Sequence, residues 1–164
     1  MFFSTVIVVL LFIIDRLLKL YLTELLAGGT TIPLVSGIIQ LYYSENRGAA
    51  FSILSGHRTL LIIVTGIGLL AMVGFLFFYK FKKDFARWAL VLIVAGGIGN
   101  LYDRIFSGFV VDYFELLFMN FAIFNFADCL INVGAALLFI YLIFFEWREP
   151  KKINEPKMDD WECE

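Results

Sequence analysis

The chain has 164 residues, of which 61% are hydrophobic, 18% aromatic and only 17% charged, and its mean hydropathy is +0.87. A soluble domain of this size carries about a quarter charged residues, so the composition excludes an ordinary water-soluble globule and makes membrane lipids the expected surroundings. The formal net charge is −2, and no basic stretch with interleaved aromatic residues indicates nucleic acid as a partner.

Four apolar segments predict four transmembrane helices, because a helix that spans a bilayer needs roughly 20 mostly apolar residues. The uncharged runs are Phe2–Ile14, Thr59–Tyr79, Trp88–Tyr102 and Cys129–Phe145. The first run has no basic region before it and no small-residue cleavage site after it. We therefore interpret it as a retained first helix and not as a signal peptide.

The segment after the first predicted helix mixes β-branched and aromatic residues over Thr30–Ser44. Pro33 cannot donate to a strand ladder, so any strands here are expected to be short or at an edge. Asn46–Leu54 predicts a short interfacial helix that starts after Gly48. The predicted fold is an all-α polytopic membrane protein with four transmembrane helices, a small extracytoplasmic β-layer and a short interfacial helix.

Basic residues set the predicted orientation. They cluster between the second and third helices and after the fourth, at Lys80, Lys82, Lys83, Arg87, Arg148, Lys151, Lys152 and Lys157. The positive-inside rule places both segments, and hence both termini, in the cytoplasm. Residues 1–146 are then one four-helix transmembrane domain with outward loops 23–57 and 106–122. Residues 147–164 are a cytoplasmic, disordered tail.

Acidic residues on three predicted helices lie at a similar depth. A rise of about 1.5 Å per residue puts Asp15 roughly 20 Å, Asp103 roughly 22 Å and Asp128 roughly 27 Å above the inner face. Ionisable groups inside a membrane avoid lipid, so these carboxylates should face one another in the outer third of the bilayer. We interpret this gathering as a site.

Polar residues also share helix faces. Gly96, Asn100 and Asp103 are spaced i, i+4, i+7 on the third helix, and Asn125, Asp128 and Asn132 are spaced i, i+3, i+7 on the fourth. The small residues of the third helix, Ala95, Gly96, Gly97 and Gly99, predict close helix approach.

Structural roles compete with functional ones for each polar group. Asp15 and Lys19 form an i, i+4 pair that either holds a helix end or contacts substrate. Asp103 with Arg104 is more simply a structural clamp, and the asparagines can act as interhelical hydrogen-bonding groups. Asp128 has no basic neighbour in the sequence, so it is the hardest to explain structurally. Its spacing alone leaves either Asp112 or Asp103 as a catalytic partner.

The residue inventory limits the chemistry. The single histidine, His57, and the lack of a C-x-x-C or H-E-x-x-H motif leave no zinc site, and we expect no metal or cofactor. Two close carboxylates share a proton, so one can act as base on a water and the other as acid toward a carbonyl. That chemistry is peptide hydrolysis.

A small proton-coupled transporter is the main alternative, but it needs a polar path to the inner face that the second and fourth helices lack. A structural scaffold is a third possibility, and it would not need several costly carboxylates at one depth.

Five blocks resemble the bacterial lipoprotein signal peptidases, or signal peptidase II. They are Asp15–Lys19, Asn46–Phe51, Gly96–Arg104, Val110–Tyr113 and Phe124–Asp128, in the family's order across the chain apart from the tail. Three positions depart from the family's usual residues. Arg16 stands where Gln is usual, Tyr113 where Phe is usual, and Ala122 where Pro is often found.

The resemblance implies an aspartic endopeptidase with Asp112 and Asp128 as its catalytic dyad. It also implies that eight residues shape the substrate site: Asp15, Lys19, Asn46, Gly48, Asn100, Asp103, Arg104 and Asn125. The implied substrates are diacylglyceryl prolipoproteins, cut just before the lipidated cysteine. The implied location is the bacterial cytoplasmic membrane, with the active site near the outer face, and we expect a monomer.

Overall fold

The computed structural model describes residues 2–48, 54–79, 81 and 84–146. Four α-helices and three β-strands follow in the order α1 (Phe2–Leu25), β1 (Thr31–Val35), β2 (Ile39–Asn46), α2 (Arg58–Phe78), α3 (Asp84–Phe106), β3 (Val110–Leu116) and α4 (Phe126–Tyr141). A 3-10 turn, Ala27–Gly29, follows α1, and a π-helical turn, Leu142–Glu146, extends α4.

Three helices of the described residues are long and apolar enough to cross a membrane: Arg58–Phe78, Asp84–Phe106 and Phe126–Phe144. The 24-residue α1 is long enough, but its C-terminal half carries Asp15, Arg16, Lys19 and Glu24. Length and composition therefore establish three candidate spans, and the fourth predicted span stays a prediction.

The strands form one antiparallel sheet in the order β1-β2-β3. Pro33 lies in the edge strand β1, as its missing donor predicts. Val110–Leu116 lies within the predicted outward loop 106–122 and pairs with β2 as a third strand, which the sequence did not predict. The predicted interfacial helix falls mainly on residues 49–53, which lie outside the described residues.

The sheet packs on one end of the helices. Leu22 and Leu26 at the end of α1 form a buried cluster with Leu41 of β2 and Tyr113 of β3. The cluster fixes the sheet over the same end at which α1 carries Asp15 and Lys19. Asp112 of β3 is thereby held at the junction between the sheet and the helices.

The helix α3 is the centre of the bundle and packs against α1, α2 and α4. Its glycines make these contacts possible, because a Cβ on Gly96 would collide with the Ala127 carbonyl of α4 and one on Gly97 with Leu69 of α2. A Cβ on Gly99 would meet the Asp15 carboxylate of α1. The predicted close approach at these small residues is confirmed.

Gly134 provides a test of this packing away from the polar residues. A Cβ there would lie 2.6 Å from the Ala89 carbonyl oxygen and 2.8 Å from the Ile93 Cγ1. We expect Gly134→Ala to lower the free energy of unfolding by about 1–3 kcal/mol, because overpacking forces the helices apart. The measurement is the thermal midpoint of the purified protein in detergent.

Gly74→Ala on α2 is the matched control, since nothing lies within 4 Å of its Cβ position. That variant should leave the midpoint unchanged or slightly raise it, because alanine favours a helix more than glycine does. Equal midpoints for the two variants would contradict the described α3–α4 contact.

Candidate active site

Asp112 and Asp128 line one cavity of about 310 Å³. Asp112 comes from β3 and is buried, whereas Asp128 lies in the first turn of α4 and is partly exposed. The remaining lining residues are Asn46, Asn100, Arg104, Val110, Phe121, Ala122, Ile123, Phe124, Ile131 and Asn132. Five of the predicted site residues thus meet in this cavity.

Asn125 joins the two carboxylates. Its side-chain oxygen accepts from the Asp128 N–H at 3.0 Å, and Asp128 Oδ2 accepts from the Asn125 N–H at 3.1 Å. The Asn125 Nδ2 donates to Asp112 Oδ1 at 2.6 Å. The expectation that Asn125 shares a helix face with Asp128 is wrong, because Asn125 is extended and forms the N-cap of α4 in a capping box.

Asn100 of α3 extends this network toward α1. Its Nδ2 donates to Asp128 Oδ1 at 2.8 Å. Its Oδ1 accepts from Lys19 Nζ at 3.1 Å and from Asn125 Nδ2 at 3.2 Å. The amide therefore has one satisfied orientation, with its NH₂ group toward Asp128.

A buried ion cluster lies behind Asn100. Lys19 Nζ is 2.9 Å from Asp15 Oδ2 and 2.8 Å from Asp103 Oδ2, and all three side chains are at most 1% exposed. Arg16 also pairs with Asp103. Neither Asp15 nor Asp103 lines the cavity that contains Asp112 and Asp128.

Asp103 and Arg104 have separate partners in the described contacts, and they do not pair with each other. Asp103 pairs with Lys19 and Arg16. The Arg104 guanidinium instead donates to the Gly48 carbonyl at 2.8 Å and to the Asn100 carbonyl at 3.2 Å. It lines the cavity and holds the backbone at Gly48 against α3.

The remaining predicted site residues are Asn46, which contacts Asp112, and Gly48, which contacts Asn46. Asn46 Nδ2 donates to Asp112 Oδ2 at 3.0 Å, across the β2–β3 pairing that sets Asn46 opposite Val110. The Gly48 N–H donates to Asn46 Oδ1 at 2.9 Å, which fixes the orientation of that amide. Both oxygens of Asp112 thus accept a hydrogen bond from an asparagine.

The surroundings of Asp112 stabilise its protonated form more than water does, so its pKa is raised. Burial raises the pKa of its carboxyl from 3.8 to about 6, and repulsion by Asp128 adds to this effect. The hydrogen bonds from Asn46 and Asn125 and the charge of Lys19 oppose it. A carboxyl with a pKa near 6 can hold or release a proton close to neutral pH.

Sequence reasoning missed two contributors. Arg16 closes the ion cluster and stacks its guanidinium over Tyr102, 4.7 Å from the ring centroid. Its position next to Asp15 and on the same helix face as Lys19 was the available signal. The Tyr113 hydroxyl accepts from the Phe126 N–H at 3.1 Å and so joins β3 to the start of α4. A phenylalanine at this position could not make that bond.

The raised pKa of Asp112 predicts a pH-dependent stability. The folded chain keeps a proton at Asp112 between pH 3.8 and about 6, where the unfolded chain has lost it. This contribution is complete below pH 3.8 and is lost as the pH rises through 6. We expect the free energy of unfolding in detergent to fall by about 1 kcal/mol from pH 5 to pH 7 through this group. The fall should be smaller in Asp112→Asn, and an unchanged fall would assign the titration to another group.

Comparison with known proteins agrees with this architecture. Residues 7–144 match the family model described as Signal peptidase (SPase) II. The chain is 41% identical to the lipoprotein signal peptidase of Clostridioides difficile (strain 630) over 85% of its own length and 94% of that protein. It is 40% identical to the lipoprotein signal peptidase of Streptococcus pneumoniae (strain ATCC BAA-255 / R6), over 84% of its length and 90% of that protein.

Solved structures give the same result. A bacterial membrane enzyme determined by the in meso method at 2.3 Å resolution superposes with a TM-score of 0.83 at 32% identity, covering 96% of each chain. A second such structure, at 1.9 Å resolution, superposes with a TM-score of 0.79 over 88% of this chain and 95% of that chain. With a family model that matches most of its length, the chain belongs to the signal peptidase II family of bacterial membrane proteases.

Proposed function

We propose that this protein is an aspartic endopeptidase that removes the signal peptide from diacylglyceryl-modified prolipoproteins, just before the lipidated cysteine. The observation that carries the proposal is the single cavity lined by both Asp112 and Asp128. The names of the relatives, lipoprotein signal peptidases, support the substrate class.

In this mechanism one carboxyl is the general base and the other is the general acid. Asp112, with its pKa of about 6, is suited to hold the shared proton. Asp128 is the more exposed of the two carboxyls in the cavity, which suits contact with the attacking water. Asp128 takes a proton from a water as that water attacks the scissile carbonyl, and Asp112 donates its proton to the carbonyl oxygen.

Collapse of the resulting tetrahedral intermediate breaks the C–N bond. Asp112 takes back a proton from a hydroxyl of the intermediate, and Asp128 passes its proton to the leaving amine. The products are a signal peptide with a new carboxyl terminus and a lipoprotein with a free α-amino group on its lipidated cysteine. The two carboxyls return to their starting protonation states, so no other reactant than water is consumed.

The proposal includes the membrane topology predicted from the sequence, with four transmembrane helices and both termini in the cytoplasm. On α1 the charged Asp15 and Lys19 face inward, while large apolar side chains are exposed along its length, which suits a fourth helix in contact with lipid. With both termini in the cytoplasm, the sheet and the two carboxyls lie at the outer membrane surface, where a diacylglyceryl group can stay among lipid tails. A monomer supplies every residue that this mechanism uses. The proton-coupled transporter is not favoured, because the chain belongs to a protease family.

Substitution of either carboxyl tests the dyad. We expect Asp112→Asn and Asp128→Asn each to lower cleavage of a lipidated prolipoprotein by at least about 1000-fold, because an amide can neither accept the water's proton nor share one. The measurement is the gel shift between precursor and cleaved protein, with purified enzyme in detergent.

Glu115→Gln is the matched control. Glu115 lies on the same strand as Asp112 and accepts from Gln40 Nε2 at 2.7 Å, but it does not line the cavity. That variant should retain near wild-type cleavage. Full activity in either aspartate variant, with the protein correctly inserted, would rule out the Asp112–Asp128 dyad.

The same mechanism predicts resistance to chelators, because the proton transfers need only two carboxyls and water. Incubation with EDTA should leave the rate of cleavage unchanged, since no step depends on a bound cation. Loss of activity that returns on addition of Zn²⁺ or Mg²⁺ would contradict a purely aspartic mechanism.

A further inference from the structure

The cavity of the candidate active site extends along α4 beyond Asp128. Ile131 and Asn132 line it together with that carboxylate, and residues spaced i, i+3 and i+4 lie on one face of a helix. Four residues correspond to about 6 Å along the helix axis. Asn132 therefore lies one turn further than Asp128 from the end of α4 that is joined to β3.

Asn132 is a polar residue in an apolar part of α4. Residues 130–140 contain no other polar side chain, and the helix is long and apolar enough to cross a membrane. Asn132 is exposed, and its side chain has no hydrogen bond to any residue that the structure describes. Because an amide without partners is costly among lipids, this position points to a partner that enters the cavity.

The substrate offers groups that need such a partner. A signal peptide inside a membrane satisfies its backbone N–H and C=O groups within its own helix. Hydrolysis requires a scissile carbonyl that water and two carboxyls can reach, so the chain must be extended next to the cut bond. Extension leaves backbone groups without partners, at a cost in free energy. A carboxamide has one acceptor oxygen and two N–H donors, which match these groups.

We propose that Asn132 binds the backbone of the signal peptide, its side-chain oxygen accepting from the N–H of the second or third residue before the lipidated cysteine. The inference rests on the peptidase function proposed above and adds a substrate-binding residue to it. An extended chain rises about 3.3 Å per residue, so the helical turn of about 6 Å between Asp128 and Asn132 spans about two substrate residues. The nearby lining residues Ile123, Phe124 and Ile131 offer no side-chain hydrogen bond.

The test combines Asn132→Leu with synthetic lipopeptide substrates that carry a diacylglyceryl cysteine. In two of them an ester oxygen replaces the backbone N–H of the second or of the third residue before the cysteine. Successive N–H groups of an extended chain point to opposite sides, so one ester should lower the kcat/KM of the wild type roughly three- to tenfold and the other should have little effect.

The variant should respond differently to the same substrates. Asn132→Leu should cleave the all-amide lipopeptide roughly three- to tenfold less efficiently than the wild type, because the same hydrogen bond is lost. The ester that slows the wild type should then cause no further loss. Leucine is close to asparagine in size and more favourable in lipid, so the variant should still insert and fold.

Val133→Leu is the matched control. Val133 is the next residue of α4 and is 52% exposed, but it does not line the cavity. This variant should cleave the all-amide lipopeptide as the wild type does and show the same loss with the same ester.

The outcomes separate this inference from the function on which it rests. Unchanged all-amide cleavage in Asn132→Leu, no loss with either ester in the wild type, or an equal ester loss in both enzymes would overturn the role of Asn132 and leave the peptidase function intact. No cleavage of the all-amide lipopeptide by the wild type would overturn the peptidase function itself, and this inference with it.

Discussion

The contacts of the Lys19 ammonium are the constraint on which the other polar contacts depend. Its nitrogen lies 2.9 Å from Asp15 Oδ2 and 2.8 Å from Asp103 Oδ2, and it donates a hydrogen bond to Asn100 Oδ1. Burying charge costs several kcal/mol per ion unless partners and hydrogen bonds compensate. Arg16 brings the cluster to two positive and two negative charges.

The ion cluster determines how the neighbouring amides are oriented. Since Lys19 donates to Asn100 Oδ1, the Nδ2 of Asn100 must face Asp128. The Asn125 amide then donates both to Asn100 and to Asp112, and its oxygen caps α4. Each amide therefore has one orientation in which its donors and acceptors are satisfied. The positions of Asp112 and Asp128 follow from a chain of contacts that begins on α1.

Packing provides the space for these contacts. The glycines of α3 admit α1, α2 and α4 closely on three sides, and Gly99 in particular leaves room for the Asp15 carboxylate. An alanine at that position would occupy the space of a charged group that has few ways to move. Small residues on α3 therefore serve both helix packing and the burial of charge, and the exposed surface of the bundle is left to apolar side chains.

Local sequence determined much of the architecture. Long apolar runs identified the spans, because lipid tolerates few charges over roughly 20 residues. Pro33 marked an edge strand, because it lacks a donor. The carboxylates at a similar depth on separate helices indicated a polar site. Spacing did not distinguish Asp112 from Asp103 as the partner of Asp128, and the resemblance to signal peptidase II made that choice.

Tertiary structure decided the features that depend on distant pairing. The strand β3 forms only by pairing with β2, and Asn46 reaches Asp112 across 66 positions of sequence. Arg16 reaches Asp103 across 87 positions. Helical periodicity describes neighbours within one element, so it could not show that Asp103 is held by Lys19 and Arg16 while Asp112 lies in a cavity with Asp128. The sequence alone predicted which groups enter the membrane, and the packing of α1 and the sheet against α3 decided which of them meet.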